Sequence, residues 1–191
     1  MYSIKKRNDY VAILMRQKEQ VFHTQDIAVL WNISNKNNLY TTIKRYCKKG
    51  VLHRIYKGMY STVPINEIHP WKLGAKALHD YCYVSAETIL QKEGFINAVI
   101  RDITFVSNKS KTFRIGSNFY KSRKLQEKFL FNPAGIVEEN SAKKATETRA
   151  IADMLYFNPR ANFDKPVDWE KVEKIQKAVG YPLTKYRYVH S

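Results

Sequence analysis

The chain has 191 residues, enough for two small domains, and its 44% apolar content with only seven Gly and six Pro excludes a disordered or collagen-like protein. The net charge of +16 suggests a polyanionic partner, above all nucleic acid, and residues 1–62 hold 12 basic but only three acidic side chains. The longest apolar run has six residues and the N-terminus does not resemble a secretory signal, so we expect a cytoplasmic protein without a membrane span.

The first two predicted elements are short helices. A helix over residues 4–17 follows a capping serine, Ser3, and its apolar residues recur at helical spacing. A second helix over residues 25–31 follows Thr24, which we expect to be its N-cap. Each helix has one apolar face, so the two are expected to pack against a common core.

A polar turn separates the second predicted helix from a third. Residues 32–38 contain four asparagines and one serine, whose side chains hydrogen-bond to nearby backbone and favour turns and caps. The third helix is predicted over residues 36–49, with Leu39 and Ile43 directed inward and Gly50 as the residue that ends it.

A β-hairpin is predicted next. Residues 51–56 and 59–63 are rich in β-branched and aromatic residues, and the glycine of Lys57-Gly58 supplies the positive φ that a two-residue turn requires. Three helices followed by a hairpin are the order of a winged helix-turn-helix. We therefore expect a DNA-binding domain of that kind over residues 1–63.

A linker and an α+β domain are predicted after the hairpin. Residues 64–70 contain two prolines and form the linker, and a small domain of mixed helices and strands follows over residues 71–191. The predicted helices cover residues 71–78, 86–93 with Ser85 as cap, 145–157, and 169–179 with Asp168 as cap. The predicted strands cover residues 103–106, 112–115, 119–123, 129–131 and 136–137.

The outward side of the third predicted helix carries the residues expected to bind DNA. At 100° per residue, an inward Leu39 turns the following side chains outward: Asn37, Asn38, Thr41, Lys44, Arg45 and Lys48. Asparagine can pair with adenine, arginine with guanine, and lysine with phosphate. The hairpin adds Arg54 and Lys57 as candidate phosphate or minor-groove contacts. The alternative interpretation is an ordinary solvated helix face.

A second basic patch is predicted in the C-terminal domain. Its principal residues are Lys111, Lys121, Arg123 and Lys124, and they are interleaved with Phe113, Phe119 and Tyr120. Strand alternation places Lys121 and Arg123 on one face, where they would form an exposed stripe for more DNA, for RNA or for an acidic partner. A solvated sheet face is the equal alternative.

Three segments in order resemble one family. The first is FHTQDIA at 22–28 with IKR at 43–45 and GVLHRIYKGMY at 50–60; the others are YVSAETIL at 83–90 with EGF at 93–95, and ATETRAIADML at 145–155. This series resembles the AbiEi-type proteins, bacterial transcriptional repressors that act as antitoxins of type IV abortive-infection toxin-antitoxin pairs. The resemblance implies an N-terminal domain that binds inverted repeats in its own promoter. It also implies a C-terminal domain that counters a nucleotidyltransferase-like toxin.

No catalytic, cofactor or metal site is predicted. Carboxylates that could bind Mg²⁺ in a nuclease are present without the required strand-borne spacing: Asp80, Glu87, Asp102, Glu138, Glu139 and Asp153. The histidines and the two cysteines lack metal-ligand spacing, and no phosphate-binding glycine loop occurs. We therefore interpret the protein as a DNA-binding repressor and antitoxin, not an enzyme. The alternative, suggested by many tyrosines, is an RNA- or single-strand-binding module without a toxin partner.

Overall fold

The chain folds as two units. A computed structural model describes residues 10–184, and its contacts divide the chain between His69 and Pro70. Both units combine helices with strands, so the expected mixed α+β class is confirmed. Ser3 and the start of the first predicted helix lie outside the described residues. Within the described range, no helix combines the length and the apolar character needed to cross a membrane.

The first unit packs three helices against a three-stranded sheet. Its elements are α1 (Tyr10–Met15), β1 (Val21–His23), α2 (Thr24–Trp31), α3 (Lys36–Lys48), β2 (His53–Tyr56) and β3 (Met59–Ser61). Leu14, Ile27 and Leu39, one from each helix, are buried in a common core. The Trp31 ring stacks on Tyr10 with 4.9 Å between centroids, and its indole N–H donates to the Tyr10 carbonyl at 2.8 Å, which fixes α1 against α2.

Two asparagines form the turn between α2 and α3. Asn32 follows α2 in the left-handed conformation, with φ 52°, and its N–H donates to the carbonyl of Val29 at 3.1 Å. Asn35 is the N-cap of α3, since its side-chain oxygen accepts the N–H of Asn38 at 3.0 Å. The turn that the asparagine cluster predicted is therefore confirmed, and two of its four asparagines are accounted for by capping.

The N-cap of α2 differs from the sequence prediction. His23 occupies the cap and Thr24 is the first helical residue. The Asp26 carboxylate accepts the His23 N–H at 2.8 Å and so satisfies the backbone at the helix start. Thr24 instead binds the hairpin turn, because its N–H donates to the Gly58 carbonyl at 2.9 Å.

The predicted hairpin is formed by β2 and β3, and β1 adds a third strand in the order β1-β3-β2. Both pairings are antiparallel, with Arg54 opposite Tyr60 and His23 opposite Met59. Gly58 in the turn has φ 92°, a conformation that glycine adopts without a steric penalty.

The second unit is built on a six-stranded mixed sheet. Its helices are α4 (Pro70–Leu78), α5 (Glu87–Lys92), α6 (Glu127–Leu130), α7 (Glu147–Phe157) and α8 (Trp169–Val179). Its strands are β4 (Cys82–Val84), β5 (Asp102–Ser107), β6 (Lys111–Ile115), β7 (Asn118–Lys124), β8 (Ile136–Glu139) and β9 (Ala142–Ala145). The strand order is β6-β7-β5-β4-β9-β8, in which the β5–β7 and β4–β9 pairs are parallel.

Helices cover both faces of this sheet. On one face α4 lies so close that a Cβ atom at Gly74 would come within 2.7 Å of the Tyr120 and Phe105 rings. Tyr83 lies on the opposite face. Its neighbour Val84 is the register partner of Phe105 and shares the face covered by α4, and adjacent residues of a strand point to opposite faces. The Tyr83 hydroxyl contacts α7, so α7 packs on that second face.

Three predictions for the second unit need correction. Residues 129–131 are not a strand: Phe129 and Leu130 belong to α6, where the Gln126 carbonyl accepts both of their N–H groups. Ser85 is not the cap of α5, because its hydroxyl donates to a buried carboxylate while Ala86 occupies the cap. Strands β4 and β9 were not predicted, and α7 begins at Glu147, two residues late, because Ala145 pairs with β8.

Candidate nucleic-acid interface

Helix α3 presents a continuous exposed polar face. All six residues expected to point outward do so and are exposed: Asn37, Asn38, Thr41, Lys44, Arg45 and Lys48. At 1.5 Å per residue this face extends along the helix for about 16 Å. Helix α3 carries no acidic residue, so its outward face is purely polar and cationic.

The two helical asparagines of this face differ in their surroundings. The amide oxygen of Asn38 accepts the Thr42 hydroxyl at 3.4 Å, which engages part of its hydrogen-bonding capacity within the helix. Asn37 makes no side-chain hydrogen bond to another residue in the described range, and it does not cap a helix. Asn37 is therefore the better placed of the two to pair with a base.

The hairpin brings a further cation beside α3. Burial raises the pKa of Tyr60 and of the Cys47 thiol, and the nearby Arg54 cation opposes that rise in both groups. Arg54 on β2 therefore lies close to the C-terminal half of α3. Its own side chain is exposed, as is that of Lys57 in the hairpin turn.

Tyr40 is a candidate that sequence reasoning missed. Its side chain is 50% exposed, and its hydroxyl group is one of the groups that raise the pKa of Tyr60 on β3, after burial. An aromatic ring in this position can contact sugar or a thymine methyl group. The available signal was spacing, because Tyr40 is three residues after Asn37 and four before Lys44.

The second basic patch is divided between the two faces of the sheet. Lys121 and Arg123 share one face, whereas Lys111 and Lys124 lie on the other with Ser122. Arg123 does not belong to an exposed stripe: its guanidinium pairs with Glu87, lies 5.3 Å from the centroid of the Phe157 ring and is only 20% exposed. Burial lowers the pKa of Arg123. This cation therefore ties α5 and α7 to the sheet.

The carboxylates considered for a metal site do not converge. Four of them form ion pairs: Asp80 with Lys109, Asp153 with Arg149, Glu87 with Arg123, and Glu139 with Lys92 and Lys144. Hydrogen bonds from Lys144 and then Lys92 lower the pKa of Glu139 to about 2. Between residues 10 and 184 no group of three His, Cys, Asp or Glu side chains is placed to hold a metal ion.

Helix α7 contains a buried ion pair at the centre of the second unit. Arg149 and Asp153 are both fully buried, and the Arg149 Nε donates to the Asp153 Oδ1 at 2.9 Å. The other guanidinium nitrogens donate to the Tyr83 hydroxyl and to the carbonyls of Phe129, Asn132 and Ala134. Burial alone would lower the pKa of Arg149, but the adjacent Asp153 carboxylate raises it, so this guanidinium stays charged.

Two hydroxyl groups complete the shell around the Asp153 carboxylate. Tyr181 donates to Oδ1 at 2.6 Å and Ser85 donates to Oδ2 at 2.7 Å. Burial also raises the pKa of Tyr181, which therefore remains a donor. The Arg149–Asp153 pair has the i,i+4 spacing of a helix, but the distant partners Tyr181 and Ser85 were not predictable from local spacing. The network joins α7 to β4 and to the segment after α8.

The candidate residues form two sets, one in each unit. The first set lies on α3 and the β2–β3 hairpin, and the second lies on strands β6 and β7. Comparison with known proteins finds no matching family model and no matching curated protein.

Proposed function

We propose that this protein is a sequence-specific DNA-binding transcriptional repressor whose first unit is a winged helix. In this proposal α3 enters the major groove, which is about 12 Å wide and admits an α-helix. The observation that carries the proposal is the exposed face of α3, with six polar or basic side chains and no acid. Asn37 and Arg45 are the proposed base-reading residues, since asparagine pairs with adenine and arginine with guanine.

The hairpin acts in this proposal as the wing. Arg54 and Lys57 are exposed and would neutralise phosphates beside the groove that α3 occupies. The turn is held against α2 by the hydrogen bond from Thr24 to Gly58, which supports a fixed position for Lys57. The excess of 12 basic over three acidic side chains in residues 1–62 supports the same role.

We further propose that the repressor is the antitoxin of a type IV toxin-antitoxin pair. It would repress its own promoter through the first unit and counter a nucleotidyltransferase-like toxin through the second. The support is the AbiEi-type resemblance of the three ordered segments between residues 22 and 155. Neither activity requires catalysis by this chain, because binding DNA and countering a toxin are both interactions.

Titration of the chain's own upstream DNA tests the repressor role. In a mobility-shift assay, the promoter segment should bind at least 1,000-fold more tightly than a shuffled duplex of equal composition. Affinities for the two duplexes within a factor of ten would refute sequence-specific recognition.

Co-expression tests the antitoxin role separately. The adjacent reading frame is expected to encode a nucleotidyltransferase-like protein that arrests growth, and this chain should restore growth. Arg45→Ala should weaken promoter binding by about 1–3 kcal/mol and keep the rescue, because Arg45 lies on the proposed DNA-reading face. A neighbour that causes no arrest, or arrest that this chain leaves unrelieved, would refute the antitoxin proposal.

A further inference from the structure

A two-stranded ribbon at one edge of the second unit's sheet exposes an aromatic ring beside a guanidinium group. Strand β6 is the edge strand, and Arg114 on β6 is the register partner of Phe119 on β7. The Arg114 guanidinium carbon lies 5.0 Å from the Phe119 ring centroid. Its Nε donates to the Gly116 carbonyl at 2.8 Å, so the hairpin turn holds the guanidinium near the ring.

Besides Arg123, which pairs with Glu87, four side chains of the ribbon share the face that carries this pair. Strand register places Thr112 and Lys121 beside Arg114 and Phe119. Thr112 and Arg114 are exposed, Phe119 is 43% exposed and Lys121 is half-buried. Asp102 of β5 is the neighbour of Phe119 in register, so one acid borders the two cations. We call this face the Phe119 platform.

On the other face of the ribbon, the aromatic residue Phe113 has a packing role and serves as a comparison for Phe119. There the Phe113 ring stacks on Tyr120 with 4.9 Å between centroids and 11° between planes, and Tyr120 is buried beneath α4. Phe119 has no such ring contact with any residue in the described range, and the group that lies over its ring is the Arg114 guanidinium. Packing therefore accounts for Phe113, whereas the Phe119 ring is exposed to solvent beside the Arg114 guanidinium.

We propose that the Phe119 platform binds single-stranded nucleic acid. One base would stack on the platform of Phe119 and the Arg114 guanidinium plane, and Lys121 would meet a backbone phosphate. A duplex fits this surface poorly, because its bases are already stacked and cannot reach the ring. An acidic peptide would use the cations but not the exposed ring. The proposal does not rest on α3 or on the repressor function.

Fluorescence anisotropy with the full-length protein and a labelled 12-nucleotide oligo(dT) tests the platform. Phe119→Leu should weaken binding about 5- to 100-fold, which is the effect of losing one stacked base. Phe119→Trp keeps the ring and should retain wild-type affinity or exceed it. Phe131→Leu is the matched control: Phe131 is 54% exposed but lies beside α6, and its loss should leave oligo(dT) affinity unchanged.

The salt dependence of oligo(dT) binding tests the proposed contact between Lys121 and a backbone phosphate. Lys121→Gln should lower the slope of log affinity against log salt by about 0.7, the value for one phosphate contact on a single strand. Thermal melts followed by circular dichroism should be close to the wild type for each variant, since Phe119 and Phe131 are exposed and Lys121 is only half-buried.

Several results would overturn the proposal. Wild-type oligo(dT) affinity in a folded Phe119→Leu protein would show that the ring is not used. Binding of a polyglutamate peptide that depends on Lys121, with no oligo(dT) binding, would assign the platform to an acidic protein. The repressor function is tested separately: Arg45→Ala should weaken promoter binding about 5- to 150-fold and keep oligo(dT) binding, whereas Phe119→Leu should weaken oligo(dT) binding and keep promoter binding.

Discussion

Neutralising Asp153 is expected to destabilise the second unit strongly. Asp153→Asn is nearly isosteric and retains a side-chain oxygen that can accept from Tyr181 or Ser85. It removes the negative charge that lies 2.9 Å from the Nε of the fully buried Arg149. Arg149 then becomes a buried charge without a counterion. Removing one partner of a buried ion pair is strongly destabilising for this reason.

The expected loss is about 3 kcal/mol, the lower end of the range for removing one partner of a buried pair. Total stabilities of domains are about 5–15 kcal/mol, so the variant loses a large share of its margin. At a urea dependence of about 2 kcal/mol per molar, the unfolding midpoint of this unit should fall by about 1.5 M.

Urea unfolding followed by circular dichroism measures this change, and hydrogen exchange assigns it to a unit. Amides of α7 should exchange about 100-fold faster in the variant, while those of α3, in the other unit, serve as the internal reference. Glu173→Gln is the matched control, because Glu173 and Lys177 form another i,i+4 pair but are 39% and 62% exposed. This control should cost less than about 0.5 kcal/mol.

A small effect of Asp153→Asn would refute the reasoning. If its unfolding midpoint moved no more than that of Glu173→Gln, Asp153 would not be the counterion that keeps Arg149 charged in the core. An equal acceleration of exchange in α3 and α7 would show instead that the change is not confined to the second unit.

Three further outcomes follow from named contacts. Gly74→Ala should destabilise the protein by about 1–3 kcal/mol in urea unfolding, because its Cβ would come within 2.7 Å of the Tyr120 ring; a wild-type midpoint would show that α4 can shift freely. Thr146→Ala should cost about 1 kcal/mol by the same assay, since the Thr146 hydroxyl caps α7, and no loss would mean that water replaces the cap. Arg54→Ala and Lys57→Ala should each weaken all duplexes alike and lower the salt slope by about 0.9 in anisotropy titrations, whereas an unchanged slope would remove the hairpin from the interface.

The first unit was largely predictable because its signals are local. The positions of Asn35 and Gly50 set the ends of α3 within a residue, since caps and left-handed turns depend on nearby backbone. The spacing of Leu39 and Ile43 identified the buried side of the helix and hence the exposed face opposite. Tyr40 was missed because an aromatic residue usually signals the core, whereas its side chain is 50% exposed.

The second unit was less predictable because its structure depends on distant partners. Ala142–Ala145 has weak strand propensity and is a strand because β8 and β4 pair with it on either side. Ser85 is a residue type that often caps helices, but its hydroxyl group donates a hydrogen bond to the carboxylate of Asp153, 68 residues later. The prediction of an exposed basic stripe is wrong at Arg123 for the same reason, because Glu87 of α5 forms an ion pair with it. Strand alternation predicts on which face of the sheet a side chain lies, but it does not predict which helices cover that face.

The most direct test of the central claim is promoter affinity after single substitutions on α3. We predict that Asn37→Ala and Arg45→Ala each weaken binding to the chain's own promoter by about 1–3 kcal/mol in mobility-shift titrations, with random-duplex affinity nearly unchanged. Lys174→Ala, which removes an exposed cation from α8 in the other unit, should leave promoter affinity at the wild-type value. Promoter affinities equal to the wild type for both α3 variants would contradict the account, because α3 would then not be the helix that reads DNA.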